Sequence, residues 1–225
     1  DSIPANGTDG EDDRGVVQVA AVSPEPNFVW TGQGPDPNWT TEENWDPHGV
    51  PGFGDTVAFP GALDQTVSIG VGPQAVWRAV VEGTGRWTWN GGGTLALGTG
   101  GLVYESGSTV TSRFMAALSG IGGITVNSGV LSVFNAANTF SGNVMINGGV
   151  LQAGPATASA SANDLGARAK TIYLGATAPG VNDAALWVGA VSTNGISLCQ
   201  PIVVRAGNNG GKTIAIGPYY GDQGT

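Results

Sequence analysis

The chain has 225 residues, 39 of them glycine, with 11% charged and 40% hydrophobic residues. Eight Lys and Arg against 17 Asp and Glu give a formal net charge of −9, which argues against a phosphate-backbone partner and so against a nucleic-acid binder. The apolar share is enough for a core, the glycines keep no three-residue period, and no apolar run is long enough to cross a bilayer as a helix, which sets aside global disorder, collagen and a helical membrane span.

Asp1 to Arg14 is acidic and turn-rich, with Asp1, Asp9, Glu11, Asp12 and Asp13 set among Gly and Asn. It holds little to bury and reads as a solvated tail. The Asp9–Asp13 cluster lacks the alternating ligands and distal glutamate of a calcium loop. No basic-then-apolar leader precedes it, which reads as a mature or trimmed chain. Val16 to Val22 (VVQVAAV) is short, uncharged and β-branched, and is predicted as a strand. Pro24 and Pro26 isolate it, so Val16, Val17, Val19 and Val22 become candidate subunit-docking positions. Residues 1–27 are thus expected to form an acidic tail with a docking strand.

Phe28 to Pro60 holds Trp30, Trp39 and Trp45 among prolines 35, 37, 47, 51 and 60. Proline removes ladder donors, so loops and short strands are expected, with a strand at Asp55–Phe59. This segment, 28–62, is expected to cap whatever follows. From Leu63 onward, short apolar alternations are separated by Gly and Asn turns: Val67–Ile69, Ala79–Val81, Trp87–Trp89, Leu95–Leu97, Leu102–Tyr104, Thr171–Leu174 and Ile202–Val204. No stretch keeps a helical period, which predicts an all-β chain.

One internal repeat stands out. Ile124-Thr-Val-Asn127-Ser-Gly129-Val130-Leu131 recurs as Val144-Met-Ile-Asn147-Gly-Gly149-Val150-Leu151, twenty positions later. Self-similarity at a short fixed period predicts a solenoid over 63–225. Roughly eight rungs of about 20 residues, about 4.8 Å apart, would make a rod of about 40 Å. Inward Ile, Val and Leu would stack in columns. Asn at a corner tolerates the left-handed backbone and can ladder with the next Asn, and Gly permits positive φ.

The run from Ser119 to Gly154 resembles the autotransporter-associated β-strand repeat, also called the passenger-associated transport repeat. Gly122, Gly123, Asn127, Gly129, Leu131, Ala137, Asn138, Thr139, Phe140, Ser141, Gly142, Asn147, Gly148, Gly149 and Leu151 fit its pattern. Trp30, Gly32, Asn44-Trp45, Pro51 and Asp55–Phe59 are similar to the Trp-rich leader that precedes such repeats. The resemblance implies a right-handed parallel β-helix in an exported bacterial protein, extracellular or on the cell surface, and it does not imply an enzyme. The chain differs in having no C-terminal membrane barrel and no evident polar cap, so the rungs are expected to be incomplete at their C-terminal end.

Between Asn90 and Asn163 the charged residues are Glu105 and Arg113, too few for the convergent carboxylates of a polysaccharide lyase or hydrolase. Asp164, Arg168 and Lys170 cluster in sequence and are expected to be a solvated corner. His48, the single histidine, sits in a turn with no nucleophile elbow elsewhere, and Cys199, the single cysteine, is expected to be a buried filler. No catalytic residue, cofactor or metal is therefore expected. Trp39 and Trp45 are either a plug for the open end of the coil or a contact for glycans, and Trp87 and Trp89 should share a strand face. The expected role is a structural or adhesive surface stalk or fibre subunit. Its partners would be copies stacked head to tail or the continuation of a longer chain, and a surface polysaccharide. A carbohydrate-binding module and a polysaccharide-degrading enzyme are the alternatives.

Overall fold

The computed structural model describes residues 25–154, 165–177, 183–189, 198, 200–205 and 212–219. The expected docking strand with Val16, Val17, Val19 and Val22, the segment 155–163, Asp164 and Cys199 lie outside the described residues.

The chain is all-β and alternates between two sheets. β1 (Phe28–Trp30), β2 (Trp45–Asp46) and β3 (Thr56–Phe59) belong to the first sheet, and β4 (Gln65–Ser68) opens the second. β5 (Pro73–Val81) returns to the first, β6 (Trp87–Asn90) to the second, β7 (Thr94–Glu105) to the first and β8 (Ser112–Phe114) to the second. After β9 (Ala117–Gly120), which pairs with β7, come β10 (Ile124–Ser128) in the first sheet and β11 (Val130–Val133) in the second. β12 (Val144–Ile146) and β13 (Gly149–Ala153) repeat the step, as do β14 (Ile172–Leu174) and β15 (Ala184–Gly189), then β16 (Ile202–Val204) and β17 (Ile214–Tyr219). A single 3-10 turn, Glu42–Asn44, is the helical content among the described residues.

Neighbouring strands are parallel throughout, except that β2 lies antiparallel on β1. A parallel neighbour cannot follow through a tight hairpin, which is why successive strands go to different sheets. The long β7 bends: Thr94–Leu97 pairs with β9 and Leu102–Tyr104 with β10, which gives the middle of the molecule a third row of strands. Thr139 and Ser141 continue that row, bonding through their N–H groups to Leu118 O and Gly120 O.

Equal positions stack in register. Ile124 pairs with Val144 and Leu131 with Leu151, twenty positions apart. The expected spacing of about 20 residues holds at the centre and is longer elsewhere. Val57 pairs with Ala79, 22 positions on, whereas Val144 pairs with Ile172, 28 on, and Ile172 with Ile202, 30 on. The longer links come after β13, and the second sheet has seven strands among the described residues. Residues 28–62 supply β1 and β3, so they form the first strands of the larger sheet as well as lying over its end.

Alternation places one face inward. Along the first sheet, Phe59, Val81, Tyr104, Val126, Ile146 and Leu174 follow one another in register and are all buried. Leu131, Leu151 and Leu186 do the same in the second sheet. Burying a Leu or Ile side chain is worth about 1.5–3 kcal/mol, so these columns carry the stability of short strands that could not stand alone. The corners need glycine: Gly129 and Gly149 have φ of 75° and 72°. The left-handed backbone that Asn tolerates is not used here, since no non-glycine residue described has positive φ. Glycine takes the turn, and Asn127 sits at the β10 register shift between Val126 and Ser128 with its side chain in the ladder.

Candidate functional site

The first end of the sheets is sealed by aromatic side chains. Trp39 packs edge-on to Trp45 with ring centres 4.8 Å apart, and Trp30 to Trp45 at 5.0 Å. Phe59 links this group to Trp87 and Trp89, which stack on each other at 5.8 Å, and Trp89 stacks on Phe114. Asn44 fixes the covering loop: its amide donates to Asp36 O and Asn38 O, and its carbonyl oxygen accepts from Gly34 N–H. Trp45 Nε1 donates to Trp39 O at 2.8 Å. Asn38 bridges to Ser68, and β2 closes β1, so both sheets are covered at this end. Trp39 and Trp45 are each 0% exposed. The glycan-contact expectation for these two residues is therefore corrected, since a ring enclosed on both faces has nothing to stack on a sugar.

The repeat residues form a ladder. Asn147 Nδ2 donates to Asn127 Oδ1 at 2.8 Å, and Arg205 Nη1 donates to Asn147 Oδ1 at 3.2 Å. Arg205 also lies over the Tyr173 ring at 4.3 Å. Ser132 donates to Gln152 on the neighbouring strand. These contacts tie strands together and present no reactive group.

A cleft of about 420 Å³ opens beside the covering loop, lined among others by Thr31, Asp36, Leu63, Asp64 and Gln65. Its carboxylates have local partners. Asp36 Oδ1 accepts from Thr41 Oγ1 and Asn38 N–H, and the Thr41 hydroxyl in particular holds its pKa below the usual carboxylate range. Asp64 pairs with Arg86 at 3.0 Å and accepts from its N–H. Asp36 is thus held ionised, and Asp64 is engaged by Arg86. Sequence reasoning missed this cleft. The one local signal was the Asp36-Pro37-Asn38 turn.

Lys170 corrects another expectation. Instead of a solvated corner, it is 4% exposed, with Nζ 2.8 Å from Phe140 O and 3.2 Å above the Phe140 ring. Burial lowers its pKa to about 7. Arg168, two residues earlier, is exposed, as is His48. Among the described residues, no three His, Cys, Asp or Glu side chains gather as a metal site, and no helix is long and apolar enough to cross a membrane.

No family model, curated protein or solved structure matches this chain. The functional reading therefore rests on the chain's own geometry, and the far end of the sheets is its most unusual part. Val204 pairs with Leu174 and Ile216 with Leu186, so both occupy inward columns. Yet Val204 is 59% exposed and Ile216 54%, where Leu174 and Leu186 are fully buried. Among the described residues, no strand lies beyond β16 or β17.

Proposed function

We propose that the protein is an exported structural scaffold. Its two parallel sheets are the faces of a right-handed parallel β-helix, capped at the first end by the tryptophan-bearing segment 28–62, and it serves as a surface stalk or fibre subunit without catalytic activity. The observation that carries this reading is the in-register stacking of the 20-residue repeat, Asn127 on Asn147 and Leu131 on Leu151. Those are the positions that resemble the autotransporter-associated repeat, and the resemblance supports an extracellular or cell-surface location in a bacterium. The satisfied carboxylates at Asp36 and Asp64 support a non-enzymatic role. The partners proposed are further copies or the continuation of a longer chain.

A carbohydrate-binding module is the second reading. With Trp39 and Trp45 enclosed, its support comes from the cleft beside Asp36, Leu63 and Gln65. Antibody labelling of intact source cells tests the location, and label confined to the cell interior overturns it. Incubation of the purified chain with uronic-acid polymers tests the chemistry. No unsaturated or shortened product is expected, and steady product release would make it an enzyme.

A further inference from the structure

The two ends of the sheets are unlike. At the first, β2 and Asn38 cover the edge strands and the core beneath is shut by Trp39 and Trp45. At the second, the inward columns end on exposed Val204 and Ile216, with Ile202 and Ile214 half-buried beside them. Ala184 N–H bonds to Thr213 O. Alternation along a parallel strand then turns the peptide groups of Ile214 and Ile216 outward, while Pro218 lacks an N–H and ends the usable edge. This is a strand-length site with an apolar floor and unpaired donors and acceptors, the arrangement that accepts an added strand.

We infer that the open end formed by β16 and β17 binds Val16–Val22 of a second copy of this chain as an added parallel strand on β17. The inference rests on the structural reading above and names its partner. Val17, Val19 and Ala21 would face inward over Ile214 and Ile216, because the alternative phase would bury Gln18. The exposed Lys212 just before β17 complements the acidic run Asp9–Asp13 that precedes the strand.

The donor must come from another copy. Asn27 N–H is fixed to Thr56 O beside β3, and the five steps from Val22 to Asn27 reach at most about 18 Å. The open end of the first sheet lies six strand spacings from β3, about 29 Å away. A heterologous contact of this kind does not close on itself and propagates into a filament. Sealing of the first end also removes direct stacking of one copy's sheets on the next copy's cap as a way to join.

The 225-residue chain tests this by light scattering and electron microscopy at rising concentration. Single-file filaments are expected from the wild type. Val17→Asp with Val19→Asp, and separately Ile216→Asp, should each give monomers with unchanged circular dichroism. The two defective chains should pair one to one when mixed, since one keeps the donor and the other the acceptor. A wild type that stays monomeric overturns the docking. So do filaments or dimers that survive the tail substitutions, which would point to open end meeting open end. In either case the scaffold reading stands, because it fails by interior location or by product release.

Discussion

The side-chain amide of Asn147 donates to Asn127 twenty residues earlier, and its oxygen accepts from Arg205. One side chain therefore ties three levels of the stack. Asn147→Ala removes both bonds. At about 0.5–1.5 kcal/mol each, somewhat more for the charged donor, the loss should be about 2 kcal/mol. For a chain of this size the melting temperature should fall by about 4–8 °C, read by calorimetry.

Leu131 lies between Ser112 and Leu151 in the second sheet and is fully buried. Leu131→Ala should cost about 2–5 kcal/mol through lost burial and the cavity left behind. Leu131→Asp places a carboxylate in an apolar column with no cation described beside it, and should abolish cooperative unfolding in urea. An unchanged urea midpoint for Leu131→Asp would show that the side chain does not point inward.

Gly149 has φ of 72°, and a Cβ there would sit 2.4 Å from Gly129 O. Both the left-handed backbone and the approach of the neighbouring corner exclude a side chain. Gly149→Ala should therefore destabilise more than Asn147→Ala, although it deletes nothing. Equal melting temperatures for the two variants would mean that the corner relaxes.

The central repeat was legible because its register is local: offset, Asn ladder and Leu column all follow from a 20-residue recurrence. The leader was legible in part. Three tryptophans signalled a cap or a platform, and only packing could decide between them, since the same indole serves either. Asn44 owes its importance to three loop contacts that no spacing announces. Lys170 misled for a related reason. A cation two residues from Arg168 reads as surface, but the column position at Thr171–Leu174 pulls its neighbour against Phe140. The unequal links after β13 leave the strand pattern on either side undisturbed, so that pattern does not fix how many residues separate one strand from the next.

Trp45 touches Phe28, Trp30, Trp39 and Phe59 and bonds to Trp39 O. Trp45→Ala should cost about 3–5 kcal/mol, visible as a lower midpoint in denaturant and a faster exchange of the β1 and β3 amides. Trp45→Phe should retain much of the packing and lose the hydrogen bond. A surface sugar platform would behave differently, since its removal would leave the midpoint where it was.

Lys170 gives the chain a pH dependence of defined sign. Unfolded, the amine keeps its proton up to the usual value of 10.5, whereas burial lowers the folded value to about 7. Between those two values the unfolded state binds more protons, so the folded state gains stability as pH rises. Below about 7 both states are protonated and the burial penalty is felt in full, and above about 10.5 neither is. Lys170→Met has no such term. The difference in melting temperature, wild type minus Lys170→Met, should thus climb between pH 7 and 10 by about 2–4 °C for each kcal/mol regained. A difference that is flat across this range would mean that Nζ keeps its charge over the Phe140 ring, with the ring face and Phe140 O together outweighing the cost of burial.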